Sequence, residues 1–339
     1  MPRVLLTGGA GYIGTHVACV LAAAGRKSAS LDNYCNSSPK SLERVERIAP
    51  GMVQAYEGDI RDLDRLREIL RGGDFESVIH FAGLKAVGES VEQPERYHEN
   101  NVGGTATLLA ALQETKVRKF VFSSSATIYG AAGKMPIDES TPPAPGSPYG
   151  ENKLEIERML ADLARRDPAW RVALLRYFNP VGAHESGLIG EDPRGAPNNL
   201  MPYVCQTAVG TRPELRIFGD DYPTKDGTGV RDYIHVMDLA EGHVAALDAL
   251  GRAAPGTVLT VNLGTGRGYS VLELVQAFER VNGVKVPRRI VARRPGDIAV
   301  CFADASLAKT LLGWQAKRGI EEMCRDAWRW QSMNPNGFE

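Results

Sequence analysis

Apolar positions fall in blocks of strand length and helix length. Val4-Leu5-Leu6-Thr7 is a short apolar run that predicts a strand. Gly8-Gly9-Ala10-Gly11-Tyr12-Ile13-Gly14 follows, and the mostly apolar stretch from Thr15 to Ala24 predicts a buried helix. Similar runs predict strands at 28–31, 52–56, 77–82, 119–122 and 172–175. Between them, helices are predicted at 42–48, 63–70, 94–114 and 149–163, with Gly103 and Gly104 as close-packing positions in the third. Strands alternating with helices predict an α/β fold, a Rossmann-type doubly wound parallel sheet.

The pattern changes after Arg176. Residues 179–199 read as turn and loop. Beyond them come a helix at 200–209, a strand at 215–218 and a return segment at 230–235. A helix from Val236 carries Leu239, Val244 and Leu247 on one face, and a further sheet strand is predicted at 257–261. A helix at 271–281, a strand at 288–292 and a last helix with Met323, Ala327, Trp328 and Trp330 complete the chain. The two tryptophans read as packing groups. The expected organisation is a Rossmann domain over 1–178 with return segments about 232–263. A smaller, interleaved C-terminal substrate-binding lobe then takes 179–231 and 264–339.

The glycine turn carries the first chemistry. Strand, glycine turn and helix form the setting of a dinucleotide fingerprint, although the spacing here is G-x-x-G-x-x-G. Gly8 would make the tight turn, Gly11 would let the backbone approach a pyrophosphate, and Gly14 would let the helix sit close to the sheet. Asp32 closes the second strand, where an acid accepts hydrogen bonds from ribose hydroxyls and repels a 2′-phosphate, so NAD is favoured over NADP. Asp59 follows the third strand and is read two ways: a partner for the adenine amino group, or the cap of the helix after it. Ser123-Ser124-Ser125-Ala126-Thr127 lies at the carboxyl end of a strand, where open α/β sheets bind ligands.

Tyr149 and Lys153 are four residues apart on one predicted helix and so share a face. A cation about 4 Å from a phenol favours the phenolate by roughly 4 kcal/mol at an effective dielectric near 20, about 3 pK units. With Ser125 to bridge phenol and substrate, the set suits removal of a hydroxyl proton while carbon yields a hydride.

Composition narrows the classes. The chain has 339 residues, is 43% hydrophobic and carries a formal net charge of −1, so a large core is expected and a phosphate-tracking nucleic-acid surface is not. No apolar run reaches membrane-span length, and the first residues enter the fold directly, so a cytoplasmic protein is expected. Five scattered cysteines suggest reduced thiols. No CxxC, HExxH or clustered His/Asp set suggests a metal site, and the six histidines read as structural or surface groups.

Several longer stretches add a resemblance. Thr7–Gly14, Phe81–Ser90, Ser123–Gly130, Leu175–His184, Pro197–Pro202 and Asp226–His235 together resemble the extended short-chain dehydrogenases/reductases, and within them the UDP-glucose (UDP-galactose) 4-epimerase family, over nearly the whole chain. The resemblance implies that Tyr149 is the acid–base for the sugar 4-hydroxyl. It gives Lys153 the tuning of Tyr149 and a hold on the nicotinamide ribose, with Ser125 assisting and Thr127 near the substrate. It implies a cofactor site of Gly8, Gly11, Tyr12, Ile13, Gly14, Asp32, Asn33, Asn36, Ser37, Asp59, Ile60, Phe81, Ala82, Gly83, Lys85, Asn100 and Tyr177, with Tyr149 and Lys153. It implies a nucleotide-sugar site of Asn179, Asn199, Leu200, Arg231, Tyr233, Arg294 and Asp297. Guanidinium forks such as those of Arg231 and Arg294 suit a diphosphate.

The implied reaction is reversible C4 epimerisation of UDP-glucose and UDP-galactose through a 4-keto sugar, with NAD retained and a homodimer as the assembly. Cys301 aligns with a sugar-facing position where family members confined to glucose and galactose often carry tyrosine. Its small thiol implies room for UDP-N-acetylglucosamine and UDP-N-acetylgalactosamine as well. A nucleotide-sugar dehydratase would share Tyr149 and Lys153 but would usually carry an Asp-Glu pair where Ala126-Thr127 stands. A simple dehydrogenase would need exchangeable cofactor. A non-catalytic protein that merely holds NAD would have no use for an intact Tyr149, Lys153 and Ser125.

Overall fold

Burial on both faces makes the central strands apolar at nearly every position, and such strands form parallel sheets covered by helices. In the computed structural model, which describes residues 3–294 and 296–339, seven strands form one such sheet, buried in its middle and largely exposed along one edge strand. They are β1 (Arg3–Thr7), β2 (Ser28–Asp32), β3 (Val53–Glu57), β4 (Phe75–His80), β5 (Lys119–Ser125), β6 (Arg171–Tyr177) and β10 (Val258–Leu263). Their order is β10-β6-β5-β4-β1-β2-β3, parallel throughout. The order reverses between β1 and β4, the switch point where ligands bind in open sheets.

Alternate side chains take opposite faces. Val4, Leu6, Ile79, Val121 and Ala173 pack with α1 (Tyr12–Ala23) and α9 (Val236–Arg252). Leu5, Val78, Phe120 and Val172 pack with α3 (Leu63–Gly72), α6 (Gly104–Gln113) and α7 (Pro148–Arg166). The helix α2 (Pro39–Ile48) adds Val45 to the first face. Between α3 and α6 lie the short α4 (Val87–Glu92) and α5 (Pro94–His98) and a π-helical turn at Glu99–Gly103.

The smaller lobe holds β7 (Asn179–Val181), β9 (Val230–His235), β11 (Gly268–Ser270) and β13 (Val300–Cys301) in one sheet, and β8 (Leu215–Phe218) with β12 (Arg288–Val291) in another. The helices α8 (Leu200–Ala208), α10 (Val271–Asn282) and α12 (Ile320–Met333) close over a core that includes Val204, Phe278 and Cys324, while α11 (Ser306–Leu312) packs back on the large sheet's core. Trp330 is buried at 3% exposure, and Trp328 packs edge-on against Phe278.

Several expectations change in detail. The long helix at 94–114 is broken: the π turn at Glu99–Gly103 divides it, and such turns frequently mark functional sites. A Cβ on Gly104 would lie 2.6 Å from Ile60, a true close approach, whereas Gly103 faces open space. The helix after β3 is capped by Asp62, whose side chain accepts from Arg65 N, so Asp59 is not its cap. The segment 230–235 pairs within the smaller sheet, so the return to the large sheet starts with α9. All five cysteines are free thiols, and no described helix is long and apolar enough to cross a membrane.

Candidate active site

At the carboxyl ends of the parallel strands lies one cavity of about 1030 Å³, walled by both lobes. The turn after β1 forms its floor. Gly8 has φ of +69°, in the left-handed region, and a Cβ there would sit 2.6 Å from Ala82 N. A Cβ on Gly14 would come within 2.7 Å of Gly9 Cα, so α1 starts tight against the turn. No side chain caps α1. Its first residues, Tyr12 to Thr15, line the cavity, and a helix N-terminus of this kind suits a phosphate.

Asp32 is almost fully buried beside it. Its Oδ2 accepts from Ala10 N at 3.0 Å, and its Oδ1 accepts from Tyr34 N at 3.0 Å and Ser37 Oγ at 2.8 Å. The carboxylate is thus fixed at the cavity edge, with one acceptor site on Oδ2 to spare for a ribose hydroxyl. A glycine cradle, a bare helix N-terminus and a fixed acid fit a dinucleotide.

Tyr149, Lys153 and Ser125 line the same cavity. Ser147 caps α7 and Pro148 takes its first position, so Tyr149 enters the first turn with its ring on the cavity wall. Tyr149 N donates to Ser90 Oγ at 3.2 Å. Ser125 ends β5, and its Oγ accepts from Thr127 Oγ1 at 3.0 Å. Lys153 lies one turn along from Tyr149; its Nζ donates to Ser123 O at 2.6 Å and stands 5.7 Å from the Tyr149 ring centre.

Burial dominates the electrostatics of this group. It pushes the Tyr149 phenol up to about 12, with only the Ser125 hydrogen bond pulling down. It pushes the Lys153 ammonium down to about 8, against the pull of Glu157. The lysine-driven lowering of the phenol expected from spacing does not act in the protein alone. The folded protein binds fewer protons at Lys153 than the unfolded chain between about pH 8 and 10.5. The resulting penalty is full below pH 8 and fades as pH rises through that window. Lys153→Met should thus raise unfolding free energy at pH 7 by about 1–3 kcal/mol, the lost Ser123 hydrogen bond offsetting part of the gain. Denaturant unfolding at pH 7 and pH 10.5 checks this, since the gain should shrink at the higher pH.

Most predicted site residues meet in this cavity. Gly11, Tyr12, Ile13, Asn33, Asn36, Ser37, Ile60, Phe81, Ala82, Gly83, Lys85, Asn100 and Tyr177 line it with the residues above. So do Asn179, Asn199, Arg231, Arg294 and Asp297 at the other end. Four do not reach it. Asp59 turns to Arg61 and Asn33, and the Arg61 hydrogen bond holds its carboxyl down at about 2. Leu200 and Tyr233 pack into the core of the smaller lobe. Cys301 pairs in register with Arg231 and packs behind the wall with Ala126, Ile128 and Phe178.

Arg231 already pairs with Asp297 at 2.5 Å, and Arg294 stacks 3.8 Å over the Phe218 ring. Tyr177 donates to His243 Nε2, while His243 Nδ1 is bonded to Leu239 O at 2.8 Å. Sequence reasoning missed Asn101. Its side chain accepts from Leu84 N at 2.8 Å and donates to Leu84 O at 3.0 Å, clamping the Gly83–Lys85 wall from the π turn. Phe178 and Glu191 on the wall were also missed.

Known proteins share this arrangement. A family model described as GDP-mannose 4,6 dehydratase matches residues 5–327. A UDP-glucose 4-epimerase of Bacillus subtilis (strain 168) is 56% identical over 336 residues, 99% of this chain and 98% of that protein. The chain belongs to the UDP-glucose 4-epimerase family. Among solved structures of this family, one from Bifidobacterium longum in complex with NAD+ and UDP is 52% identical, with a TM-score of 0.94 over 99% of each chain. One from Stenotrophomonas maltophila, with bound NAD and formylated UDP-arabinopyranose, is 50% identical, with a TM-score of 0.95 over 99% of each chain. Family membership covers both lobes.

Proposed function

We propose that this protein interconverts UDP-glucose and UDP-galactose at C4 with retained NAD, and also accepts the N-acetylated pair. One observation carries the reading: Tyr149, Ser125 and Lys153 share a cavity wall with a dinucleotide cradle on one side and Arg231 and Arg294 on the other. Gly8, Gly11, Gly14 and Asp32 would hold the pyrophosphate and adenosine ribose of NAD, and Lys153 and Tyr177 would border its nicotinamide half. When bound, NAD supplies a hydride acceptor that can return what it takes.

The protein's own groups handle the proton and the orientation. Tyr149 takes the C4 hydroxyl proton in one half-reaction and gives it back in the other. Ser125, held by Thr127, bridges phenol and sugar oxygen. The Lys153 ammonium, 5.7 Å from the Tyr149 ring centre, would support the phenolate that burial disfavours. Arg231 and Arg294 hold the diphosphate while the 4-keto sugar presents its other face. Ala126 and Thr127 leave no acid pair for dehydration, which separates this reading from the dehydratase chemistry named in the family model.

The wider pocket rests on Cys301. Its thiol is small, packs against the apolar cluster that includes Phe178, and is pushed up to about 11 by burial. A tyrosine there would overpack this cluster and press its neighbours toward the cavity. Purified protein without added NAD should interconvert both pairs, and denaturation should release NAD. Cys301→Tyr should lower kcat/KM for the acetylated pair about 10-fold or more, in the range one pocket group controls, and leave the simple pair within about threefold. Absence of both bound NAD and interconversion overturns the main reading; equal losses for the two pairs overturn the pocket assignment.

A further inference from the structure

Glu191 has no part in the reading above, yet it stands on the cavity wall. Its side chain is 9% exposed. The loop that carries it is held from behind: Trp330 Nε1 donates to Glu191 O at 3.3 Å, and Phe338 N donates to Asp192 Oδ2 at 3.0 Å. One carboxylate oxygen is engaged. Oε1 accepts from Asn199 Nδ2 at 2.7 Å and lies 3.7 Å from Lys85 Nζ. The other oxygen, Oε2, is buried and has no partner among the described residues.

A bare buried acceptor is costly, and in a native protein it calls for a specific explanation. Burial works against the charge on Glu191, and Lys85 and Asn199 support it. Those two partners say what the free oxygen serves. Lys85 stands on the large-domain wall and Asn199 precedes α8 of the smaller lobe. One carboxylate therefore links Lys85 to Asn199 on the cavity wall.

We propose that Glu191 is a ligand-binding residue: with a small turn of its side chain toward the cavity, Oε2, which solvent does not reach in the protein alone, accepts a hydrogen bond from a hydroxyl of the bound substrate or cofactor, while Oε1 keeps Asn199 and Lys85. The inference rests on the function proposed above. Two ligands offer that chemistry: the hexose of the nucleotide sugar and the nicotinamide-side ribose of NAD. The carboxylate would select a polyhydroxyl group at this point and fix its orientation, because it accepts only.

Glu191→Gln tests the single atom. The amide keeps the shape and an oxygen for Asn199, but its NH2 cannot accept. Three quantities are measured for wild type and E191Q: NAD released per chain on denaturation, the Kd of UDP, and the Kd of an equilibrated UDP-hexose mixture. A hexose contact should weaken UDP-hexose about 10-fold or more, the worth of one hydrogen bond to a charged group, and leave UDP unchanged. A ribose contact should lower the retained NAD and leave UDP unchanged. If all three stay within about threefold, the proposal is overturned. A lowered Tm with equal weakening of UDP, UDP-hexose and NAD also overturns it, because a misplaced loop would then explain the loss. Wild-type protein that holds no NAD and binds no UDP-hexose would instead overturn the functional reading.

Discussion

Tyr149→Phe is expected to lower turnover about 100-fold or more, the lower range for a positioned acid–base group. The substitution removes one oxygen and keeps the ring. The ring sits in the first turn of α7, and its backbone N–H is bonded to Ser90 Oγ, so the helix start should not move. Ser125 and Thr127 would still bond to each other, but no group near them could take the sugar proton. Lys153 would keep its bond to Ser123 O. Retained NAD and the Kd of UDP should match wild type, so the loss should fall on kcat rather than on binding. The wild-type rate should climb with pH as the phenolate fraction rises, and the residual rate of Y149F should lack that climb. Near-normal turnover in Y149F would refute the assigned role.

The start of the chain was the most legible part of the fold. A strand, a glycine turn and a helix follow each other in β1 and α1, so local pattern and tertiary role agree. The same holds for Asp32, which ends its strand at the cavity edge. Other features depend on contacts that a linear pattern does not carry. The helix α4 lies in a stretch without an apolar stripe, with Val87 42% and Val91 62% exposed. The π turn at Glu99–Gly103 interrupts a sequence that reads as one long helix. The two-residue β13 exists only through its pairing with β9. Glu191 looks like any acid in a Gly/Pro loop; Trp330, more than a hundred residues later, is what holds it in place. Cys301 illustrates the reverse difficulty, because the family resemblance points it toward the sugar and packing puts Ala126 and Phe178 beside it.

Behind Ser125 lies a second element whose removal should be costly. Tyr149, Lys153 and Glu157 occupy successive turns of α7, so all three face β5 and β6. Glu157 Oε2 pairs with Arg176 at 2.6 Å, with side chains 5% and 8% exposed. Glu157 Oε1 also accepts from Ser124 Oγ at 2.6 Å and Arg176 Nε at 3.0 Å. Arg176 continues the network to Tyr129 at 3.0 Å, and Tyr129 donates to Asn262 at 2.7 Å. Ser124 Oγ and two nitrogens of Arg176 have this carboxylate as their acceptor. Glu157→Ala should therefore lower unfolding free energy by about 3–5 kcal/mol, because it leaves a buried guanidinium unpaired. Replacing both partners, as Glu157→Met with Arg176→Met, should restore much of that stability, since a well-packed apolar pair avoids the desolvation cost. Activity should not recover with it. Ser124 would lose the bond that anchors the strand end before Ser125, and Lys153 would lose the nearby negative charge that supports its ammonium. Unfolding curves and kcat for the single and double variants separate the two roles. A double variant as unstable as Glu157→Ala would refute the account of the pair. One with both stability and wild-type kcat would show that the network holds the sheet but does not position the site.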